Sequence, residues 1–157
     1  MDRRDPLKDA ATGIDQLLRD AEHQTLLHGD AKLANFCWRE SSGGVGKAAA
    51  ASGNGPEVAA VDFQYCGWGV GVLDVAYCLG SFPGIDNLAN DTASLLDLYF
   101  KTLNAGAEVE AEWRELYCVA VADFERFLAG WAGSSFKRNG YLGAMVDEAI
   151  ALTSKLP

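Results

Sequence analysis

Four side chains in the first half of the chain have the types and spacing that phosphoryl transfer from a nucleotide demands. Thr25 to Trp38 reads TLLHGDAKLANFCW and carries His28, then Asp30, then Asn35. Val58 to Tyr65 reads VAAVDFQY, an apolar run that ends on Asp62. Such a transfer asks little covalent chemistry of a protein. The attacking hydroxyl must be oriented, the phosphate charge neutralised by metal, and water kept out. An aspartate at the start of a loop, Asp30, can accept the hydroxyl proton. An amide oxygen at the loop's far end, Asn35, and a carboxylate at the end of a neighbouring strand, Asp62, form an oxygen-donor pair suited to Mg2+. That ion often keeps several waters and needs few protein ligands.

These stretches also resemble a known family. HGDAKLAN resembles the H-x-D-x-x-x-x-N catalytic loop of kinases, and VAAVDFQ resembles the strand that ends in their metal-binding aspartate. HGD stands where protein kinases have HRD, and Gln64 where they have glycine. With GWGVGVLDVAYCLGS following, the chain is similar to the small-molecule branch: aminoglycoside phosphotransferases, choline kinases and ecdysteroid-kinase-like proteins. The resemblance implies an α+β, mainly helical C-terminal lobe of a protein-kinase-like fold. It also implies ATP and Mg2+ as cofactors and a small-molecule hydroxyl as acceptor. By the same resemblance Asp30 is the catalytic aspartate, and Asn35 and Asp62 bind the metal and the nucleotide phosphates. Asp74 matches the family's structural aspartate, which fixes the catalytic loop, and His28 is a packing and hydrogen-bonding residue rather than a base. Lys32 stands where Ser/Thr protein kinases carry a lysine facing the transferred phosphate; a solvated surface lysine explains it equally well.

The elements that must hold these residues are legible from periodicity. Leu7, Ala10, Ile14, Leu17, Leu18 and Ala21 recur at helical steps and predict one amphipathic helix over 6–21. Asp5 is a plausible N-cap, Pro6 suits the first turn, and Gly13 is a weak middle that packing must support. Thr25 to Leu27 reads as a short strand. Phe36 to Arg39 and Val58 to Val61 suit an antiparallel hairpin around a flexible Gly/Ser/Ala-rich insertion over 40–57. GGVGK within that insertion is not a phosphate loop, because the motif needs glycine at 41 and Ser or Thr at 48, where the chain has Ser41 and Ala48. A short helix from Leu73 to Leu79 ends at Gly80 and Pro83-Gly84. Helical periods then run over 88–103, 108–131 and 141–156. One domain over 1–157 is expected: catalytic loop 28–35, insertion 40–57, metal-binding strand end 62–64 and helical subdomain 73–157.

Composition narrows the class. The 157 residues carry 22 Asp and Glu against 13 Lys and Arg, a net charge of −9, which disfavours a nucleic-acid or anionic-membrane partner. The four cysteines form no CxxC pair, and with two histidines they make a zinc site improbable; three lie in apolar runs and read as buried thiols. The first 13 residues lack the apolar core of a signal peptide, and no run reaches membrane-spanning length, so a cytoplasmic protein is expected.

Two features bear on activity. Trp131, Phe136 and Tyr141, with Asp123 and Glu125, could form an aromatic, acidic acceptor pocket for an amine or quaternary ammonium, although core packing explains the same aromatics better. Only 27 residues precede His28, so the strand-rich N-terminal lobe that covers the nucleotide in such enzymes is expected to be absent from this chain. That leaves two principal readings: a phosphotransferase lobe completed by an N-terminal lobe or partner chain and weak alone, or a non-catalytic kinase-like binding module or truncated pseudoenzyme.

Overall fold

The computed structural model describes residues 4–39, 57–82, 88–132 and 140–156. Its elements run α1 (Arg4–Asp9), α2 (Ala11–Arg19), β1 (Thr25–Leu27), a 3-10 turn (Leu33–Asn35), β2 (Phe36–Arg39), β3 (Glu57–Ala60), β4 (Gly67–Gly69), α3 (Val72–Gly80), α4 (Leu88–Leu103), α5 (Ala107–Ala132) and α6 (Gly140–Thr153). The fold is therefore α+β and mainly helical. No described helix is long and apolar enough to cross a membrane. Most of the insertion expected over 40–57, and the Pro83-Gly84 stop, lie outside the described residues.

Helix α5 is the spine. Its 26 residues span about 39 Å at the α-helical rise. Every residue from Leu116 to Ala122 is buried, which is what a helix that is apolar all round becomes when other helices surround it. Helices α1, α2, α3 and α6 all pack on it. The front helix expected as one piece is divided at Ala10, yet Ala10 keeps helical angles and its N–H still donates to Pro6 O at 3.0 Å, so the axis hardly breaks. Gly13 owes its place to packing: a Cβ there would lie 2.7 Å from the Cβ of Thr153, at the end of α6.

Two small antiparallel sheets sit in front of this body. In one, β2 pairs with β3 in the register Phe36↔Ala60 to Arg39↔Glu57, the hairpin anticipated from the sequence. In the other, β1 pairs with β4, Leu26 opposite Trp68. The second pairing was not anticipated, because Gly67-Trp68-Gly69 has too few side chains to show alternation. Cys118 is buried, and burial pushes its thiol pKa up to about 11; Cys78 is half-buried with its pKa also raised by burial. Cys37 and Cys66 are exposed, against the expectation of buried thiols. The two-stranded sheets have an open outer face, so an apolar run there does not imply a covered one.

The chain reaches β1 through a tie to α5. Glu112 accepts from the N–H of Glu22 at 2.7 Å, the N–H of His23 at 2.9 Å and the His23 ring at 2.8 Å, while Trp113 Nε1 donates to His23 O at 2.9 Å. Partial burial raises the Glu112 pKa, but these hydrogen bonds outweigh it and leave it below the ordinary glutamate value. This tie fixes where β1 begins, and therefore where His28 emerges.

Candidate active site

The loop after β1 is gripped by the first turn of α3. Asp74 Oδ2 accepts the N–H of His28 at 2.7 Å and its Oδ1 accepts the N–H of Gly29 at 3.0 Å. A carboxylate taking two adjacent backbone donors forms the strong, charge-assisted kind of hydrogen bond. Gly29 adopts φ +78°, and a Cβ there would lie 2.1 Å from the carbonyl oxygen of Tyr65. Only glycine fits.

Both ring nitrogens of His28 are committed. The N–H of Asp30 donates to Nδ1 at 3.2 Å, so Nδ1 is an acceptor and the ring hydrogen sits on Nε2, which faces Val61 O at 2.9 Å. The ring also packs on Phe63 at 4.6 Å. His28 therefore holds the turn before Asp30 to the end of the β3 segment, with neither nitrogen left over to move a proton.

Asp30 is buried and lies at the centre of a short polar network. Its Oδ2 accepts from Lys32 Nζ at 2.6 Å and from Asn35 Nδ2 at 3.0 Å. Asn35 Nδ2 also donates to Asp30 O at 2.8 Å. Both partners of that amide nitrogen are acceptors, which fixes the amide orientation and leaves Oδ1 as the oxygen donor. The hydrogen bond to Asp30 is the main cause raising the Lys32 pKa above its ordinary value. Desolvation opposes it, and the charges of Asp30 and Asp62 add to it.

Asp62 is exposed and follows the β2–β3 ladder. The N–H of Val61 donates to Asn35 O at 2.9 Å, one rung beyond the hairpin, so Asp62 is the residue directly after Asn35's cross-strand partner. Its φ of +66° is left-handed, a region that aspartate enters more readily than most residues. Among the described residues no three His, Cys, Asp or Glu side chains cluster around a possible metal. An ion here would rest on the mixed pair of Asn35 and Asp62.

A cleft of about 390 Å3 opens beside Asp30 and Lys32, walled by Tyr65, Tyr77, Phe127 and Trp131. Tyr77 stacks at 4.6 Å on Phe124, and burial first, then the negative charge of Asp30, raises its phenol pKa. Of the pocket residues anticipated from sequence, only Trp131 among the described residues lines this cleft. Tyr141 packs against the core and hydrogen-bonds Tyr117, and Phe136 lies outside the described residues. Asp123 pairs with Arg126 at 2.6 Å while its charge still helps raise the Tyr77 pKa, and Glu125 is fully buried. Tyr77 and Ser81 were missed. They lie three and seven residues after Asp74 on α3, a helical spacing that puts all three on one face and could have marked them.

Residues 7–109, more than half of the chain and all of the loop, strand-end and α3 residues above, match the model of the ecdysteroid kinase-like family. The chain belongs to the ecdysteroid kinase-like family. No curated protein and no solved structure matches it. Membership in the ecdysteroid kinase-like family makes this a kinase-like phosphotransferase domain. The matched stretch includes both strand pairs and ends where α5 begins.

Proposed function

We propose that this domain transfers the γ-phosphate of ATP to a hydroxyl of a small molecule. The observation that carries the reading is the Asp30–Lys32–Asn35 network beside a cleft, with the Asp62 strand end hydrogen-bonded to the same loop. Asp30 accepts the proton of the acceptor hydroxyl as that oxygen bonds to the γ-phosphorus and ADP leaves. Asp30 Oδ2 is taken by Lys32 and Asn35, which leaves Oδ1 for the incoming proton. Lys32 moves from its bond with Asp30 to the transferred phosphate. Asn35 Oδ1 and the Asp62 carboxylate are hard oxygen donors that fit Mg2+. When bound, that ion neutralises phosphate charge. The cleft's aromatic walls suit an acceptor with an apolar skeleton. Phosphorylation of a panel of apolar alcohols with labelled ATP, with a family N-terminal lobe supplied, tests the reading. Asp30→Asn should abolish turnover, and turnover unaffected by that change removes Asp30 from its role.

A second reading, a non-catalytic kinase-like binding module, is favoured by the front face. Leu26, Trp68, Trp38 and Phe63 are all more than half exposed on or beside the two small sheets. Apolar side chains gathered there suit a covering unit, either an N-terminal lobe or a partner chain.

A further inference from the structure

The 3-10 turn Leu33–Asn35 has no cap of its own. Lys32, the residue before it, is extended at φ −67° and ψ 150° and makes no capping hydrogen bond. The turn's first donor is met from another element. The N–H of Leu33 donates to Ser81 Oγ at 2.8 Å, and the same Oγ donates to Cys78 O at 2.8 Å. The second bond sets the direction of the first: with its hydrogen committed to Cys78, Ser81 presents lone pairs to Leu33. The turn capped in this way is flanked by the groups of interest. Lys32 precedes it, Asn35 closes it, and the N–H of Asn35 bonds Lys32 O at 2.9 Å.

We propose that Ser81 is a positioning residue for Lys32 and Asn35, acting on the nucleotide site through the N–H of Leu33. It rests on the reading of Asn35 as a ligand of the magnesium-nucleotide. Helix α3 then grips the loop twice. Asp74 in its first turn holds His28 and Gly29, and Ser81 at its C-terminal end holds Leu33, two helical turns further along the same face. Asp30 lies between the two grips. Removing the Ser81 hydroxyl leaves the lower grip intact and lets the turn that carries Asn35 reorient.

Two readouts on the whole chain test this: amide hydrogen exchange at Leu33 and Asn35, and calorimetric titration with Mg–ATP. Ser81→Ala should exchange about fivefold to tenfold faster at both amides, the size of one net hydrogen bond. Mg–ATP affinity should fall by a similar factor while the thermal midpoint falls by only about 2–4 °C. Ser81→Thr should restore both readouts. If Ser81→Ala does not fold, Ser81→Thr against Ser81→Val makes the same comparison at equal volume. Unchanged exchange at Asn35 overturns the proposal, as does faster exchange with unchanged Mg–ATP affinity, which would make Ser81 a structural cap alone. A wild type giving no Mg–ATP heat contradicts the proposed function instead; exchange at Asn35 then decides the inference by itself.

Discussion

Gly29→Ala adds one carbon where the structure has no room for it. A residue with a Cβ pays about 1–2 kcal/mol in the left-handed region. The added atom would also sit 2.1 Å from Tyr65 O and 2.8 Å from its carbonyl carbon, both backbone atoms that no side-chain rotation can clear. Relief requires either the loop after β1 to move away from the 62–66 turn or the Gly29 peptide to rotate. Rotation takes its N–H off Asp74, a charge-assisted bond of about 1.5–3 kcal/mol. Together these give a loss of about 2.5–5 kcal/mol, against a total of about 5–15 kcal/mol for an ordinary domain. Urea unfolding followed by tryptophan fluorescence should show the midpoint falling by about 2–3 M, taking a slope of about 1.5 kcal/mol/M. Gly67→Ala is the control, since its nearest neighbour is Tyr65 O at 3.9 Å, and it should stay within about 0.5 kcal/mol of wild type. A Gly29→Ala loss under about 1 kcal/mol would refute the close approach of the loop to Tyr65.

Other consequences follow from the two ties of the loop. Asp74→Asn keeps one acceptor but sets an NH2 against the second backbone N–H, so chemical unfolding should report a loss of about 2 kcal/mol; a change below about 0.5 kcal/mol would contradict the two-pronged bond. Glu112 has a folded pKa below its unfolded value, so its contribution is present above about pH 4.3 and fades as pH falls through the lower folded value. Thermal midpoints between pH 5 and pH 3 should therefore fall more steeply for wild type than for Glu112→Gln, and parallel curves would count against the tie.

The loop and the strand end were legible because their chemistry fixes both residue type and order. His28, Asp30, Asn35 and Asp62 could be read off as a set before any packing was known. The long helices were legible for a different reason: α4 carries an apolar period through Leu96 and Phe100, and α5 one through Trp113, Leu116 and Phe124. What escaped depends on which neighbour arrives from far along the chain. Gly67-Trp68-Gly69 is a strand only because Thr25–Leu27 lies beside it. Ser81 looks like an ordinary helix-end serine until Leu33 meets it. The anticipated aromatics divide in the same way: Tyr141 packs against the core, as the helical periodicity favoured, while Trp131 lines the cleft. Glu125 is fully buried and Asp123 pairs with Arg126, while Tyr65 and Tyr77, which line the cleft, sit in a turn and on α3.

The proposed function requires Asp62 and Asn35 to hold a magnesium-nucleotide beside Asp30. Isothermal titration of Mg–ATP into wild type and Asp62→Ala, under matched buffer and salt, measures this with no acceptor present. Weak saturable heat in the wild type that Asp62→Ala removes is the result predicted. Equal heats from the two proteins would contradict it.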